Sequence, residues 1–156
     1  MVWELLSKIP DPEIPVITIS DLGVLRDVSI ENEKIVVTIT PTYSGCPAMK
    51  AIESDIVSVL KENGIEAEIK TVYSPAWTTD WMSDEAKMKL NAYGIAPPMK
   101  SPKANLAKSG SETRNVKCPR CNSSNSELIS QFGSTACKAL FRCKDCKEPF
   151  DYFKCH

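Results

Sequence analysis

The chain has 156 residues, of which 42% are hydrophobic, 25% charged and 7% aromatic, and its formal net charge is -1. This composition is typical of a soluble globular protein, and the absence of an apolar run near the roughly 18 residues that a bilayer span needs excludes a membrane protein. The number of cysteines, seven, is odd, and no charged-then-apolar leader precedes them. Both features argue against a secreted disulfide scaffold, and we therefore expect a cytoplasmic protein.

The charge is unevenly distributed along the chain. Residues 1–96 contain 8 Lys and Arg against 15 Asp and Glu, residues 97–115 contain 4 against 1, and residues 116–156 contain 7 against 4. Six of the seven cysteines also follow Lys117. We therefore predict an acidic α/β domain over 1–96, a flexible linker over 97–115 and a cysteine-rich domain over 116–156.

The first predicted elements are a short helix and a β-hairpin. Apolar residues at helical spacing predict a helix over 2–9, which ends before Pro10. Three prolines between residues 10 and 15 predict a shaped loop. Two runs rich in β-branched residues, 22–30 and 34–40, flank a polar turn and predict an antiparallel pair of strands.

The next elements complete a small two-layer domain. An apolar stripe over 47–63, between Pro47 at the start and Gly64 after the end, predicts an amphipathic helix. Alternation over 66–72 predicts a third strand, and a last helix is expected over 84–93. The inward residues of that helix should be Ala86, Leu90 and Tyr93. The predicted order is α-β-β-α-β-α.

The cysteine-rich segment contains two Cys-x-x-Cys pairs, Cys118 with Cys121 and Cys143 with Cys146, separated by 21 residues. Each pair can direct two sulfurs at one ion, and the intervening chain is long enough for a hairpin that joins the pairs into a tetrahedral site. About 41 residues are near the lower size limit of an unsupported core, whereas structural zinc contributes on the order of 10 kcal/mol. Zinc is the favoured metal, with iron or an iron-sulfur cluster as alternatives. The predicted fold class is thus α+β, with a zinc ribbon after the α/β domain.

The other residues of the predicted ribbon indicate how its core is formed and which kind of partner it binds. Cys137 is interpreted as a buried small residue in preference to a ligand of a second ion, and Cys155 and His156 are left unassigned. Zinc-bound thiolates offset the basic residues, which favours protein partners over nucleic acid. We expect the small core to be formed by five aromatic residues: Phe132, Phe141, Phe150, Tyr152 and Phe153. Any of them that is exposed would be a contact residue for a partner.

Cys46, the single cysteine of the predicted α/β domain, is expected at the N-cap of the helix over 47–63. Unpaired amides and the helix dipole would stabilise a thiolate there, suited to nucleophilic attack or metal binding, and the alternative is a small residue packed under the sheet. Asp11 and Glu13, in the proline-rich loop, are candidate hard ligands of the same site, although turn capping is the preferred interpretation of both.

The sequence lacks the residues of common catalytic sites. The only histidine is His156, so no Ser-His-Asp set can form, and no glycine-rich phosphate loop is present. We therefore assign no catalytic residue, and enzyme chemistry of these kinds is disfavoured. Trp77 and Trp81 are candidates for a partner contact, with the core as the expected place of one of them.

Several motifs resemble known families. Asp11-Pro-Glu-Ile, Asp21-Leu-Gly and Thr42-Tyr-Ser-Gly-Cys46-Pro resemble the small iron-sulfur assembly domain. Longer blocks resemble the D-component family of the phenylacetyl-CoA epoxidase system. These blocks are Ser74-Pro-Ala-Trp-Thr-Thr-Asp-Trp81, Tyr93-Gly-Ile-Ala-Pro-Pro98, Phe132-Gly-Ser-Thr-Ala-Cys137-Lys-Ala-Leu-Phe-Arg-Cys143 and Glu148-Pro-Phe-Asp-Tyr-Phe-Lys-Cys155-His156.

The resemblance implies an accessory role in phenylacetate degradation, beside a di-iron monooxygenase that forms the ring epoxide of phenylacetyl-CoA. The expected task is assembly or delivery of the iron-sulfur cluster of the reductase component, so the resemblance predicts a protein that is not itself an enzyme. Cys46 would be the assembly thiol and Asp11 and Glu13 its loop companions. Because the domain has one thiol, holding a transient cluster would need a homodimer, a client's cysteines or other ligands. The alternatives are a structural adaptor that tethers epoxidase components and a ribbon that binds nucleic acid, against which the charge count argues.

Overall fold

The computed structural model of the chain describes residues 1–98 and 116–154. Its elements, in chain order, are α1 (Val2–Leu6), β1 (Leu25–Glu31), β2 (Lys34–Ile39), α2 (Ala48–Glu62), β3 (Ala67–Thr71), a 3-10 turn (Thr79–Trp81), α3 (Asp84–Tyr93), β4 (Ile95–Ala96), β5 (Ser126–Ser130), β6 (Lys138–Cys143) and β7 (Pro149–Phe153). The predicted α+β class and the order α-β-β-α-β-α before the ribbon are confirmed. Within the described ranges, no helix is both long and apolar enough to cross a bilayer.

The described chain divides into two compact units, Met1–Ala86 and Lys87–His156. The division precedes the predicted domain end at 96 because α3 spans it and β4 pairs with β7 in the second unit. Most of the predicted linker, residues 99–115, lies outside the described ranges. The domain limits 1–96, 97–115 and 116–156 therefore stay a prediction.

The first unit is built on a three-stranded sheet in the order β1-β2-β3. β1 and β2 are antiparallel, with Leu25 opposite Ile39, and β2 and β3 are parallel, with Ile39 opposite Thr71. The start of β1 and the ends of β2 and β3 therefore lie at one end of the sheet. The buried face of α2 is formed by Ala48, Ile52, Ile56 and Leu60, so the core lies where this helix and the sheet bury their apolar side chains.

Two details of the predicted helices are wrong. α1 ends at Leu6 and not at residue 9, because the chain leaves the helix at Ser7 and the Ile9 amide donates to the Leu6 carbonyl. Tyr93 is 56% exposed, unlike the buried Ala86 and Leu90 of the same helix. It is the last residue of α3, after which the chain turns at a positive φ into β4, so the buried face ends one turn earlier.

The second unit contains a four-stranded sheet in the order β4-β7-β6-β5. β5, β6 and β7 are successively antiparallel, and β4 runs parallel to β7, with Ile95 opposite Asp151. The Phe141 ring stacks on Phe150, with 6.0 Å between ring centroids, and meets Tyr152 edge-on at 5.6 Å. These three residues and Phe153 are buried as predicted, whereas Phe132 is 67% exposed because it lies beyond β5, in the turn that leads to β6.

Candidate functional site

Four cysteine sulfurs converge in the second unit. The sulfur atoms of Cys118, Cys121, Cys143 and Cys146 all lie within 4.8 Å of one another. The Sγ atoms of Cys118 and Cys146 are 3.8 Å apart, and those of Cys121 and Cys143 are 3.5 Å apart. A tetrahedral ion with metal-sulfur bonds of about 2.3 Å has sulfur-sulfur edges of about 3.8 Å. The four residues thus fit a single four-coordinate metal ion.

Each Cys-x-x-Cys pair is shaped by a backbone turn. The residue after the second cysteine has a positive φ in both pairs, 61° at Asn122 and 65° at Lys147. In the first pair, the Asn122 amide donates to the Cys118 carbonyl at 2.9 Å; in the second, the Cys143 amide donates to the Glu148 carbonyl at 3.0 Å. The first turn precedes β5, and the second joins β6 to β7, so the hairpin brings the two pairs to one end of the ribbon sheet.

Asp145, inside the second pair, connects the two turns by hydrogen bonds. Its carboxylate accepts from the Ser123 hydroxyl and, at 3.0 Å, from the Asn125 side-chain amide. The Lys144 amide donates to the Asn125 carbonyl at 2.8 Å. Donation from Ser123 and then Asn125 holds the pKa of Asp145 below its usual value. Sequence reasoning missed this residue, for which the only signal was an acid between two cysteines.

The thiols of Cys143 and Cys121 do not ionise equally. The Cys146 backbone amide, the strongest influence on Cys143, lowers the pKa of that thiol to about 7. The Ser123 backbone lowers the pKa of Cys121, but the Cys143 sulfur, desolvation and the remaining sulfurs outweigh it and raise the pKa to about 12. A Cys143 thiolate therefore opposes ionisation of the Cys121 thiol beside it. Four adjacent thiolates need a cation.

We expect the Asp145→Ala variant to hold its metal at least about tenfold more weakly, because groups that orient metal ligands typically contribute that much to affinity. Competition with a chromophoric chelator, under anaerobic reducing conditions, measures the change. Glu148→Ala is the matched control: Glu148 is an exposed acid beside the same pair, and its backbone carbonyl, which the substitution keeps, makes the contact with Cys143. Equal metal affinity in the two variants would contradict the assigned role of Asp145.

Cys46 lies in the loop that follows β2 and is half-buried. The predicted N-cap position is wrong, because Pro47 is the N-cap of α2 and Cys46 precedes it. The Cys46 carbonyl accepts from the Met49 amide at 3.3 Å, and its amide donates to the Tyr43 carbonyl at 3.3 Å. The Thr40 amide donates to the Val24 carbonyl at 2.9 Å, which ties the start of this loop to the residue before β1.

The proline-rich loop leads to the same end of the first sheet. The Asp11 carboxylate is buried and accepts from the backbone amides of Glu13 at 2.9 Å and Ile14 at 2.8 Å, the pattern of a turn cap. The Ile19 carbonyl accepts from the Val24 amide at 3.0 Å and so joins this loop to the start of β1. The topology thus brings the Asp11 loop and the Cys46 loop to one end of the sheet.

Asp11, Glu13 and Cys46 do not form a closed metal site by themselves. Within the described ranges, the only group of three or more His, Cys, Asp or Glu whose ligand atoms converge is the ribbon's four cysteines. A metal or cluster held at Cys46 would therefore need further ligands, for example from a second chain or from a client protein.

A third segment, which contains both predicted tryptophan contacts, packs against the end of the loop before β1 and against the start of that strand. Trp77 is buried and its Nε1 donates to the Leu22 carbonyl at 2.8 Å. Trp81 is half-buried, with the Arg26 guanidinium carbon 3.6 Å from its ring centroid. Gly23 has a φ of +75°, and a Cβ there would lie 2.8 Å from the Trp81 Cβ. Trp77 therefore belongs to the core, and Trp81 is the more accessible of the two.

The remaining cysteines differ in their surroundings. Cys137 is buried, with its Sγ 3.0 Å from the Thr135 hydroxyl oxygen. This environment agrees with its interpretation as a small packed residue. Cys155 and His156, which the sequence left unassigned, lie outside the described residues.

Two family models match successive parts of the chain. One, described as iron-sulfur cluster assembly protein, matches residues 1–76. The other, described as PaaD zinc beta ribbon domain, matches residues 102–154. The first match contains Asp11, Glu13 and Cys46, and the second contains all four converging cysteines.

Individual proteins show the same likeness. The chain is 51% identical, over 99% of its length and 91% of the relative's, to an Escherichia coli (strain K12) protein named as the D component of 1,2-phenylacetyl-CoA epoxidase. It is 36% identical, over 55% of its length and 84% of the relative's, to an Fe-S protein maturation auxiliary factor of Porphyromonas gingivalis (strain ATCC BAA-308 / W83). The crystal structure of a DUF59 domain from Bacillus anthracis superimposes with a TM-score of 0.52 and 34% identity, covering 57% of this chain and 87% of that chain.

Proposed function

The chain belongs to the family of the phenylacetyl-CoA epoxidase D component, and from this membership we propose that it is an accessory protein of such an epoxidase. Its task is to assist the assembly or delivery of an iron-sulfur cluster to the reductase component, in the cytoplasm. The protein does not itself oxidise the substrate. Its partners are proteins: the epoxidase, its reductase component and, where a second thiol is needed, another copy of the chain.

The observation that carries this proposal is the position of Cys46 in an iron-sulfur assembly unit. The family model that covers residues 1–76 includes the loop after β2 and the proline-rich loop, and the sheet brings both loops to the same end. Cys46 is half-buried in a loop, so the residue is partly accessible to a client. We assign Asp11 and Glu13 to the shaping of that end, since the Asp11 carboxylate caps its own loop.

The cluster is cargo and not a resident cofactor in this proposal. One thiol supplies one ligand, whereas an iron-sulfur cluster is held by several thiolates. Transient binding between Cys46 and the thiols of a second chain or of the client allows the cluster to leave, which a closed four-cysteine site would prevent.

The resident metal is zinc, held by Cys118, Cys121, Cys143 and Cys146. The sulfur-sulfur distances of 3.5 and 3.8 Å suit a tetrahedral four-thiolate ion, and a site with no open position is structural. Zinc has no redox chemistry, so it would hold the ribbon without interfering with iron-sulfur transfer. The ribbon thereby provides a folded surface for partner recognition.

Iron binding by the purified chain tests the assignment of Cys46. With a small thiol present to supply the ligands that a second chain or a client would provide, we expect anaerobic reconstitution with iron and sulfide to load the wild-type chain, with visible thiolate-to-iron absorption. Cys46→Ser should load at background level. Zinc content should be the same in both proteins, because the ribbon thiols are unchanged. Ser44→Ala, a substitution in the same loop, is the control and should load like the wild type. Full iron loading of Cys46→Ser would show that the thiol is not the ligand.

A further inference from the structure

The outer strand of the ribbon exposes a group of apolar side chains. β5 is an edge strand, because the sheet order is β4-β7-β6-β5 and no described strand pairs with its other side. Leu128 is 44% exposed, Ile129 52% and Phe132 67%. They are all of the exposed large hydrophobic residues in the described range 116–154. These three side chains and the backbone edge of β5 are named the β5 edge surface.

The free side of β5 offers backbone hydrogen-bonding groups as well. The Lys144 amide donates to the Asn125 carbonyl at 2.8 Å, which fixes the hydrogen-bonded positions of the β5-β6 pair. Bonded and non-bonded pairs alternate along an antiparallel ladder, so Glu127 bonds opposite Arg142 and the amide and carbonyl of Leu128 face away from β6. The register shifts between Leu128 and Ser130, so this alternation holds only as far as Leu128. Unpaired edges with exposed apolar residues are surfaces to which another strand can add.

The charges around this edge are predominantly positive. The one acid on β5, Glu127, lies opposite Arg142 and 3.8 Å from the Lys144 ammonium, so it is more than offset. The Lys154 ammonium lies 4.5 Å from the centroid of the exposed Phe132 ring and donates to the Gln131 carbonyl at 2.9 Å. Carboxylates on a segment that pairs with β5 would therefore favour its binding.

We propose that the β5 edge surface binds an extended, acidic segment of a protein partner as an added strand. Backbone hydrogen bonds to Leu128 would provide affinity, and apolar side chains of the segment would cover Leu128, Ile129 and Phe132. Carboxylates of the segment would lie near Arg142, Lys144 and Lys154. The inference rests on the proposed accessory function in that it supplies the surface by which the ribbon recognises its partner.

Synthetic peptides test the proposal on the full, metal-loaded chain. The probes are a peptide that alternates valine with glutamate, the same peptide with lysine in place of glutamate, and the glutamate peptide with a central proline. Titration followed by backbone amide shifts should place the glutamate peptide on Ser126–Ser130, bound about tenfold more tightly than either of the others. Ile129→Ser and Lys154→Gln should each weaken binding severalfold. Ile30→Ser, an exposed edge residue of β1 in the other unit, is the matched control and should leave it unchanged.

Three results would overturn the proposal. Equal binding of the glutamate and lysine peptides would remove the charge preference, and shifts confined to residues away from β5 would remove the site. A dimer seen by sedimentation that Ile129→Ser dissociates would make a second copy of the chain the occupant. None of these measurements involves Cys46 or iron, so a failure here leaves the iron-loading test of the proposed function undisturbed.

Discussion

Removal of zinc with a chelator is expected to unfold the ribbon while the first unit stays folded. The ribbon's core is small: its large buried hydrophobic side chains in the described range 116–154 are Phe141, Phe150, Tyr152 and Phe153. Structural zinc contributes on the order of 10 kcal/mol, about as much as the whole stability of a typical domain. The four cysteines would also lose their shared cation. The first unit has its own sheet and core and contains none of the four ligands.

Amide spectra of the full chain measure this effect residue by residue. Dispersed signals from β6 and β7 should collapse to unfolded positions on chelation and return when zinc is restored, whereas those of β2 and α2 should persist. Cys118→Ser should behave like the chelated protein without any chelator. Cys137→Ser is the matched control, because Cys137 is buried beside Thr135 away from the four sulfurs, and it should keep its zinc. A ribbon that stays dispersed without metal would contradict the structural role of zinc.

The architecture of the ribbon was only partly predictable. The spacing of two Cys-x-x-Cys pairs indicates a metal-bound hairpin because each pair is a local turn whose geometry depends on few residues. β4 gave no such signal: two residues carry no periodicity, and the pairing of Ile95 with Asp151 is a contact between distant parts of the sequence. Asp145 was missed for a related reason, since its partners Ser123 and Asn125 come from the other turn.

The first unit shows the same limit. Alternation and helical spacing located its strands and α2 to within a few residues. α2 has a buried face, β2 contains buried residues, and β3 alternates half-buried with exposed residues. The position of Cys46 relative to α2 depended on whether the N-cap of the helix is residue 46 or residue 47, which spacing does not resolve. Trp77 and Trp81 are alike in sequence, and only the fold shows that Trp77 donates to Leu22 in the core while Trp81 stacks against Arg26.

Loss of the Cys46 thiol is expected to produce the largest functional effect of any single substitution in the first unit. In the proposed function this thiol is the chain's own ligand to the cluster in transit, and serine is a far poorer ligand for iron in a cluster than a thiolate. The substitution changes one atom in a half-buried loop position, so folding and zinc content should not change. The consequence should therefore appear in the client and not in the stability of the chain.

The most direct test of the accessory function is the iron-sulfur content of the reductase component when it is produced together with this chain. Purified reductase should contain most of its clusters beside the wild-type chain and beside Ser44→Ala, and only the level found with no accessory protein beside Cys46→Ser. Iron and sulfide per reductase, with the visible absorption of the cluster, provide the measurement. Equal cluster content beside the wild-type chain and Cys46→Ser would contradict the account.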